Sequence, residues 1–242
     1  MELYRSIIEE LKTWKRNPGR KPLILKGARQ TGKTWILEYF GRTEFKYTVK
    51  FNFDKDHSIH EIFKMTKEPS RIISQLSLLT DYPILPNETL LIFDEIQECN
   101  SALNSLKYFY EDSPEYVVVA AGSLLGVALT KGESFPVGKV QMLTMYPMDL
   151  EEVLWAKGKQ MLADTIREHY ENNQPLDEIL HEEAMQEFYH YCIVGGMPAA
   201  VKADLAKDSP IEQTEIRQML LNSYIADMTK YANKSDTVRI FE

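Results

Sequence analysis

Cysteine is scarce in this chain, and no long run of apolar residues occurs. The 242 residues include two cysteines, Cys99 and Cys192, which lie far apart and form no C-x-x-C pair. This usage excludes a disulfide framework and a cysteine zinc site, and it is typical of a reducing compartment. No window approaches the roughly 18 consecutive apolar residues of a membrane helix, and the N-terminus lacks the apolar run of a secretory signal. We therefore expect a cytoplasmic protein with no membrane partner.

Positive charge is also in short supply. The chain has 28 Lys and Arg residues against 36 Asp and Glu residues, so its net charge at pH 7 is −8. An acidic chain has no overall attraction for nucleic-acid phosphates, and non-specific binding of DNA or RNA is not supported. Hydrophobic residues make up 44% of the sequence. This content is enough to bury the core of one large domain or two modest ones.

The most informative segment that is present is a glycine-rich octet. Residues 27–34 read Gly-Ala-Arg-Gln-Thr-Gly-Lys-Thr and match G-x-x-x-x-G-K-[ST], the phosphate-binding loop of nucleoside triphosphatases. The apolar run 23–25 before it predicts a buried strand, and residues 34–40 after it predict a helix. This context favours a phosphate loop over an ordinary glycine turn. The expected nucleotide-binding residues are Gly27, Ala28, Arg29, Gln30, Thr31, Gly32, Lys33, Thr34 and Trp35.

Physical chemistry explains why the residue types of the octet suit a phosphate-binding loop. Gly27 and Gly32 permit backbone conformations that a Cβ would penalise, so that successive N–H groups can surround an anion at a helix N-terminus. Lys33 can reach the β- and γ-phosphates, and we expect it to take part in catalysis. The hydroxyl of Thr34 can occupy one coordination position of Mg²⁺. The octet therefore predicts ATP or GTP with Mg²⁺ as the ligands.

A second motif indicates hydrolysis. Residues 89–95 are mostly apolar and end in Asp94 and Glu95, which is how a buried strand presents acids at its carboxyl edge. We expect Asp94 to hold Mg²⁺ and Glu95 to deprotonate the attacking water. Taken alone, the segment is better explained by a strand followed by a charged turn. After a phosphate loop the catalytic interpretation is favoured, and an acid that activates water argues against a nucleotide kinase.

A third apolar run, residues 116–121, leads into Gly122 and Ser123. If this strand lies beside the Asp94 strand, the Ser123 hydroxyl faces the γ-phosphate or the attacking water and contributes to catalysis as a sensor of hydrolysis. A serine at this position is equally typical of a helix N-cap. The two interpretations are compatible.

Together these strings resemble the prokaryotic P-loop ATPases of the AAA superfamily. The resemblance implies ATP as the nucleotide and a further C-terminal domain of uncharacterised function, which would lie beyond Glu242. Many members have Gly-Arg before the last core strand, whereas this chain has Gly138 and Lys139. The strings that carry the resemblance are residues 25–34, 51–54, 93–98, 121–125, 146–148 and 195–198.

The fold class predicted from the alternating patterns is α/β: a P-loop NTPase with a parallel five-stranded sheet covered by helices on both faces, followed by a smaller all-α subdomain. We expect an ATPase domain over residues 1–148, with an amphipathic helix at 2–16 packed on it. Residues 149–242 show only helical periodicity and predict a lid-like subdomain. The strands are expected at 23–25, 47–53, 89–95, 116–121 and 138–145.

The leading hypothesis is an ATPase that converts ATP to ADP and phosphate and couples this reaction to movement of the helical subdomain and to an unknown protein partner. Alternatives are a nucleotide-gated switch with little turnover and the ATPase half of a DNA-processing enzyme, in which nucleic acid would be bound only through the further C-terminal part. No arginine is identifiable as the finger that stabilises the transition state, and a finger acting in trans would require an oligomer. The candidates for the finger are Arg29, Arg71, Arg167 and Arg217.

Overall fold

Five short strands form one sheet in this computed structural model, which describes residues 2–122, 136 and 138–231. The strand order is β2-β3-β4-β1-β5, and every neighbouring pair is parallel. The predicted parallel five-stranded sheet is therefore confirmed. The strands are β1 (Leu23–Lys26), β2 (Tyr47–Asn52), β3 (Thr89–Asp94), β4 (Val117–Gly122) and β5 (Gln141–Thr144).

Helices connect these strands and follow the sheet. Short 3₁₀ segments occur at Ser77–Leu79 and at Ile96–Glu98. The α-helices of the described residues are α1 (Ile7–Arg16), α2 (Lys33–Glu44), α3 (Ser58–Met65), α4 (Pro69–Leu76), α5 (Asn100–Asp112), α6 (Leu150–Ala156), α7 (Gln160–Glu171), α8 (Glu178–Val194), α9 (Pro198–Ala206) and α10 (Pro210–Tyr231).

Alternate strand residues point to opposite faces of the sheet, and helices cover both faces. Ile24, Leu91 and Phe93 belong to an apolar core that includes buried residues of α3, α4 and α5. Leu25 and Leu90 belong to a second core, which includes buried residues of α1 and α2. The expectation of helices on both faces is thus confirmed.

The N-terminal helix is shorter than its sequence pattern predicts. It begins at Ile7 instead of residue 2, and residues 2–5 have no regular secondary structure. Ile7, Leu11 and Trp14 are buried in the sheet core, as expected. Leu3 has the same helical spacing but belongs to a different cluster, with Met148 among its neighbours. The tertiary contacts of Leu3 therefore override the local helical periodicity.

The chain divides into two compact units. The sheet unit comprises Ile7–Ala28 and Gly32–Met145, and the helical unit comprises Met1–Ser6, Arg29–Thr31 and Tyr146–Glu242. The middle three residues of the glycine-rich octet thus group with the first six residues and with helices α6–α10.

The helical unit is organised around several small clusters instead of one large core. One contains Val153 and Val201, another contains Leu154 and Leu162, and a third contains Val194 with residues of the later helices. Helix α6 is started by a capping box, in which the Asp149 side chain accepts a hydrogen bond from the Glu152 N–H. Such a cap satisfies backbone donors that a helix otherwise leaves unpaired.

Three charged side chains connect the segment after α6 to helix α8. Glu187 accepts hydrogen bonds from Lys157 and Lys159, at N–O distances of 2.7 and 2.8 Å. Burial raises the pKa of Glu187, but the two lysines together outweigh this effect and hold its pKa below the ordinary value. A depressed folded-state pKa means that the stabilisation is complete above the unfolded-state pKa and is lost as the pH falls through the folded-state pKa.

Replacing Glu187 by Gln is therefore expected to lower the free energy of unfolding at pH 7 by up to about 1 kcal/mol. The difference from wild type should shrink below about pH 4, because the wild-type carboxyl then becomes protonated. Urea unfolding of both proteins at pH 7 and in steps down to pH 3 measures this. Glu182→Gln, at an exposed acid of the same helix, is the control. A difference between Glu187→Gln and wild type that does not change with pH would contradict the assignment.

Candidate nucleotide site

The octet begins at the carboxyl end of β1, at a position that only glycine can occupy. A Cβ on Gly27 would overlap the carbonyl oxygen of Met145. This close approach accompanies a 2.7 Å hydrogen bond from the Met145 N–H to the Lys26 carbonyl. Gly32 has a left-handed backbone, with φ at 95°, and is the N-cap of α2. The octet therefore runs from a central strand to a helix N-terminus, where backbone N–H groups and the helix dipole favour an anion.

Lys33, the first residue of α2, has a buried side chain. Its ammonium donates hydrogen bonds to the carbonyls of Gly27 and Ala28, at 3.0 and 2.7 Å. A buried cation requires such partners, since unpaired burial of a charge is costly. The lysine thus folds back over the start of its own loop, and a phosphate at the loop would offer it a stronger, charged partner.

Thr34 and Asp94 are distant in sequence but adjacent in the structure. The Thr34 hydroxyl lies 3.1 Å from each carboxylate oxygen of Asp94. Asp94 ends β3 and is 4% exposed. Asn52, its register partner at the end of β2, donates its side-chain amide to Asp94 over 3.3 Å. The carboxyl edge of the sheet therefore places a hydroxyl, a carboxylate and an amide together.

These groups fit a magnesium ion of the kind found with nucleotides. Hydroxyl and carboxylate oxygens are hard ligands, and Mg²⁺ at phosphate sites commonly uses one or two protein ligands while water and phosphate supply the others. The described residues contain no cluster of three or more His, Cys, Asp or Glu side chains suited to a metal. Thr34 and Asp94 therefore suit a metal ion that is bound jointly by protein, water and phosphate better than one bound by protein side chains alone.

Glu95 follows Asp94 with a strained backbone. Its φ and ψ of 52° and 43° are left-handed, which is uncommon for a residue with a side chain. This left-handed turn follows the last residue of β3, and the Glu95 side chain is half-buried. The Gln97 amide donates a 2.6 Å hydrogen bond to Oε2 of Glu95. The other amide atom of Gln97, Oε1, is buried and has no hydrogen-bond partner.

The middle of the octet is hydrogen-bonded within the helical unit. Tyr224 donates its hydroxyl proton to the Arg29 carbonyl at 2.7 Å, and Arg5 donates to the Thr31 carbonyl at 2.9 Å. The Gln30 amide lies 3.2 Å from the Ser223 hydroxyl. Gln30 has a φ of 61°, a second left-handed residue with a side chain.

Ser123 and Trp35 are also predicted site residues. Ser123 lies outside the described residues, although the β4 strand that leads to it does pair with β3, as expected. Trp35 stacks on Tyr39 with 5.3 Å between ring centroids and packs on the sheet core. Their proposed roles stay predictions.

The candidate arginine fingers make mostly local contacts. Arg71 pairs with Glu68, and Arg167 pairs with Glu151. Arg217 donates to the Thr214 hydroxyl one helical turn away. The fourth candidate, the exposed Arg29, belongs to the octet itself. None of these contacts selects one of the four as a finger.

Three polar residues that contact Asp94, Glu95 or the octet are not among the site residues predicted from the sequence. Asn52 could have been found as a polar residue that ends a buried strand, by the same reasoning that selects Asp94. Gln97 offers a weaker signal, its place two residues after Glu95. Arg5 offers none, since its partners are 26 and more residues away in sequence.

Comparison with known families identifies the class of protein. The AAA domain family matches residues 19–154, which are 136 of the 242 residues. The chain belongs to this family. AAA domains are P-loop ATPase domains, and membership supports ATP binding and hydrolysis as the general activity. The further C-terminal domain implied by the sequence resemblance stays a prediction.

One solved structure with a TM-score above 0.5 supports the fold, and two others are similar to a lesser degree. A Walker-type ATPase of Pyrococcus abyssi is 15% identical, with a TM-score of 0.55 over 95% of this chain and 76% of that chain. AMPPCP-bound DnaA from Aquifex aeolicus is 14% identical, with a TM-score of 0.44 over 93% of this chain and 68% of that chain. The Drosophila ORC bound to DNA is 14% identical, with a TM-score of 0.46 over 89% and 65%. A search of curated proteins gave no match.

Among the described residues, no helix has the length and apolar character needed to cross a bilayer.

Proposed function

We propose that this AAA domain protein hydrolyses ATP to ADP and phosphate in a reaction that depends on Mg²⁺. The observation that carries the proposal is the meeting of Thr34 and Asp94, which are 60 residues apart and lie within 3.1 Å at the carboxyl edge of the sheet. This edge is where open parallel sheets bind ligands. Glu95 follows Asp94 directly in the sequence and would supply a second carboxylate there.

Different residues would bind the phosphates and the metal ion. The loop amides and Lys33 would bind the phosphates, with Lys33 exchanging its contacts to the Gly27 and Ala28 carbonyls for phosphate oxygens. Thr34 and Asp94 would hold Mg²⁺, directly or through water. When bound, the metal neutralises the charge that develops on the β- and γ-phosphate oxygens.

Glu95 would act as the general base. Its Oε2 accepts the Gln97 amide, so we expect Oε1 to receive the proton of the attacking water. The left-handed backbone at Glu95 directs its side chain independently of Asp94, and the hydrogen bond from Gln97 restricts its rotation. Two neighbouring acids can therefore perform different tasks.

Replacement of Lys33 by Ala tests the site. We expect Mg·ATP affinity to fall by about 100-fold or more and phosphate release to fall to background, because a charge-assisted contact to phosphate is lost in a buried setting. Calorimetric titration and a phosphate-release assay measure the two effects. Lys46→Ala, at an exposed lysine of the same unit, is the matched control. Wild-type affinity in Lys33→Ala would refute the proposed site.

The same assays separate turnover from switching. Tight Mg·ATP binding without phosphate release over hours would indicate a nucleotide-gated switch instead of an ATPase. If DNA or another protein is retained only in the presence of ATP, that molecule is a nucleotide-dependent partner, whether the protein is an ATPase or a switch. We further propose that nucleotide binding affects the helical unit, since Arg29–Thr31 of the octet group with that unit.

A further inference from the structure

Two carbonyl groups in the middle of the octet are held by side chains that are remote in sequence. The Tyr224 hydroxyl binds the Arg29 carbonyl, and the Arg5 guanidinium binds the Thr31 carbonyl. Their sequence separations are 195 and 26 residues, so neither contact follows from local turn geometry. All four residues belong to the helical unit.

Fixing a carbonyl also fixes the amide that follows it. The peptide bonds described here are trans, and in a planar trans peptide the C=O of one residue and the N–H of the next point in opposite directions. Holding the Arg29 carbonyl therefore directs the Gln30 N–H away from Tyr224, and holding the Thr31 carbonyl directs the Gly32 N–H away from Arg5. These amides belong to the phosphate loop of the proposed function.

Arg5 is itself held in place. Its side chain is 5% exposed and forms an ion pair with Glu152 over 2.9 Å. Its Nη2 group donates a hydrogen bond to the Tyr146 carbonyl over 2.6 Å. Ser6 donates both its N–H and its hydroxyl to Glu152, each over 2.7 Å. The guanidinium therefore presents a preorganised donor to Thr31, with its charge balanced by a carboxylate that is also fixed.

We propose that Arg5 and Tyr224 are positioning residues that set the conformation of the phosphate loop from its carbonyl side. Because they hold the Arg29 and Thr31 carbonyls, the loop amides stay oriented for a triphosphate before it binds. Preorganisation of this kind raises affinity by lowering the entropy lost on binding. It also sustains the left-handed backbone of Gln30 between the two held carbonyls. The proposal rests on the proposed function of the loop.

A pair of tyrosine variants tests this with little risk to the fold. Tyr224→Phe removes the hydroxyl that binds the Arg29 carbonyl. Tyr191→Phe is the matched control, because its hydroxyl binds the Met148 carbonyl in the same unit at 2.9 Å and does not touch the loop. Loss of one hydrogen bond of ordinary strength should weaken Mg·ATP binding by about fivefold in Tyr224→Phe, with kcat at saturating ATP unchanged. Tyr191→Phe should bind as the wild type does.

Hydrogen exchange gives a readout that requires no nucleotide. In the ligand-free protein, a peptide covering residues 29–32 should exchange about fivefold faster in Tyr224→Phe than in Tyr191→Phe. Equal exchange and equal affinity in the two variants would overturn the inference. If the wild type does not bind Mg·ATP, the proposed function fails instead, and the exchange comparison alone decides whether Tyr224 holds the loop.

Arg5→Lys extends the test to the second carbonyl. Lysine keeps a positive charge for Glu152 but lacks the planar fork that reaches Thr31 and Tyr146 together. We expect faster exchange in the same peptide and a loss of affinity of about tenfold, larger than that of Tyr224→Phe because an arginine contact is charge-assisted. Exchange and affinity at wild-type values in Arg5→Lys would remove Arg5 from the proposal.

Discussion

Replacing Glu95 by Gln is expected to lower the rate of ATP hydrolysis by about 100- to 10,000-fold while leaving Mg·ATP binding close to wild type. An amide cannot accept the proton of the attacking water, and general-base catalysis contributes a factor of this size. Binding is preserved because the phosphate and metal contacts are assigned to other residues, chiefly Lys33, Thr34 and Asp94. Single-turnover phosphate release and calorimetric titration on the same preparation measure the two quantities.

The control for this prediction is an acid of the same loop. Glu98 is exposed and ends the 3₁₀ segment that follows Glu95, so Glu98→Gln changes the same charge without touching the proposed base. We expect Glu98→Gln to hydrolyse ATP at the wild-type rate. Unchanged turnover in Glu95→Gln would refute the general-base assignment, and equal losses in both variants would indicate a non-specific charge effect.

The largest effect on stability is expected from Glu152. Replacing Glu152 by Ala should lower the free energy of unfolding by about 3–5 kcal/mol, because it leaves the buried Arg5 guanidinium without its counter-ion. Glu152 is 3% exposed and accepts hydrogen bonds from Arg5 and from Ser6. It also completes the capping box of α6 with Asp149. Chemical denaturation followed by circular dichroism measures the loss.

The neighbouring residue supplies a matched control for this variant. Glu151 lies in the same helical turn and pairs with Arg167, but both side chains are partly exposed. Exposed pairs contribute little, so Glu151→Ala should cost no more than about 1 kcal/mol. Similar losses in Glu151→Ala and Glu152→Ala would show that the buried Arg5–Glu152 pair has no special weight. A small loss in both would contradict the packing described for the first six residues.

Much of the fold could be predicted because its signals are local. Residues 47–53 alternate apolar with polar side chains, residues 90–93 are all apolar, and each segment contributes a strand of the sheet. The residue types at Lys33, Thr34, Asp94 and Glu95 indicate a phosphate and metal site for reasons of chemistry and spacing. The contact between Thr34 and Asp94 agrees with parallel strands, whose carboxyl ends lie on the same side.

Other features could not be predicted, because they depend on pairing across long distances. The place of Asn52 at a strand end is visible in the sequence, but its contact with Asp94 depends on the register of β2 with β3. Arg5 and Ser6, which directly precede α1, contact Glu152, almost 150 residues away in sequence. No periodicity or motif near either end of such a contact contains this information.

The sequence by itself determined the class of this protein: a parallel α/β sheet, a phosphate loop and two acids after a buried strand, all readable from patterns of fewer than ten residues. Only the tertiary structure decided which side chains support that loop. It joined Arg29–Thr31 to Arg5 and Tyr224, and it placed Gln97 on Glu95. The physical reason is that periodicity and residue chemistry act locally along the chain, whereas the partner of a buried carbonyl or charge is selected by the packing of distant segments.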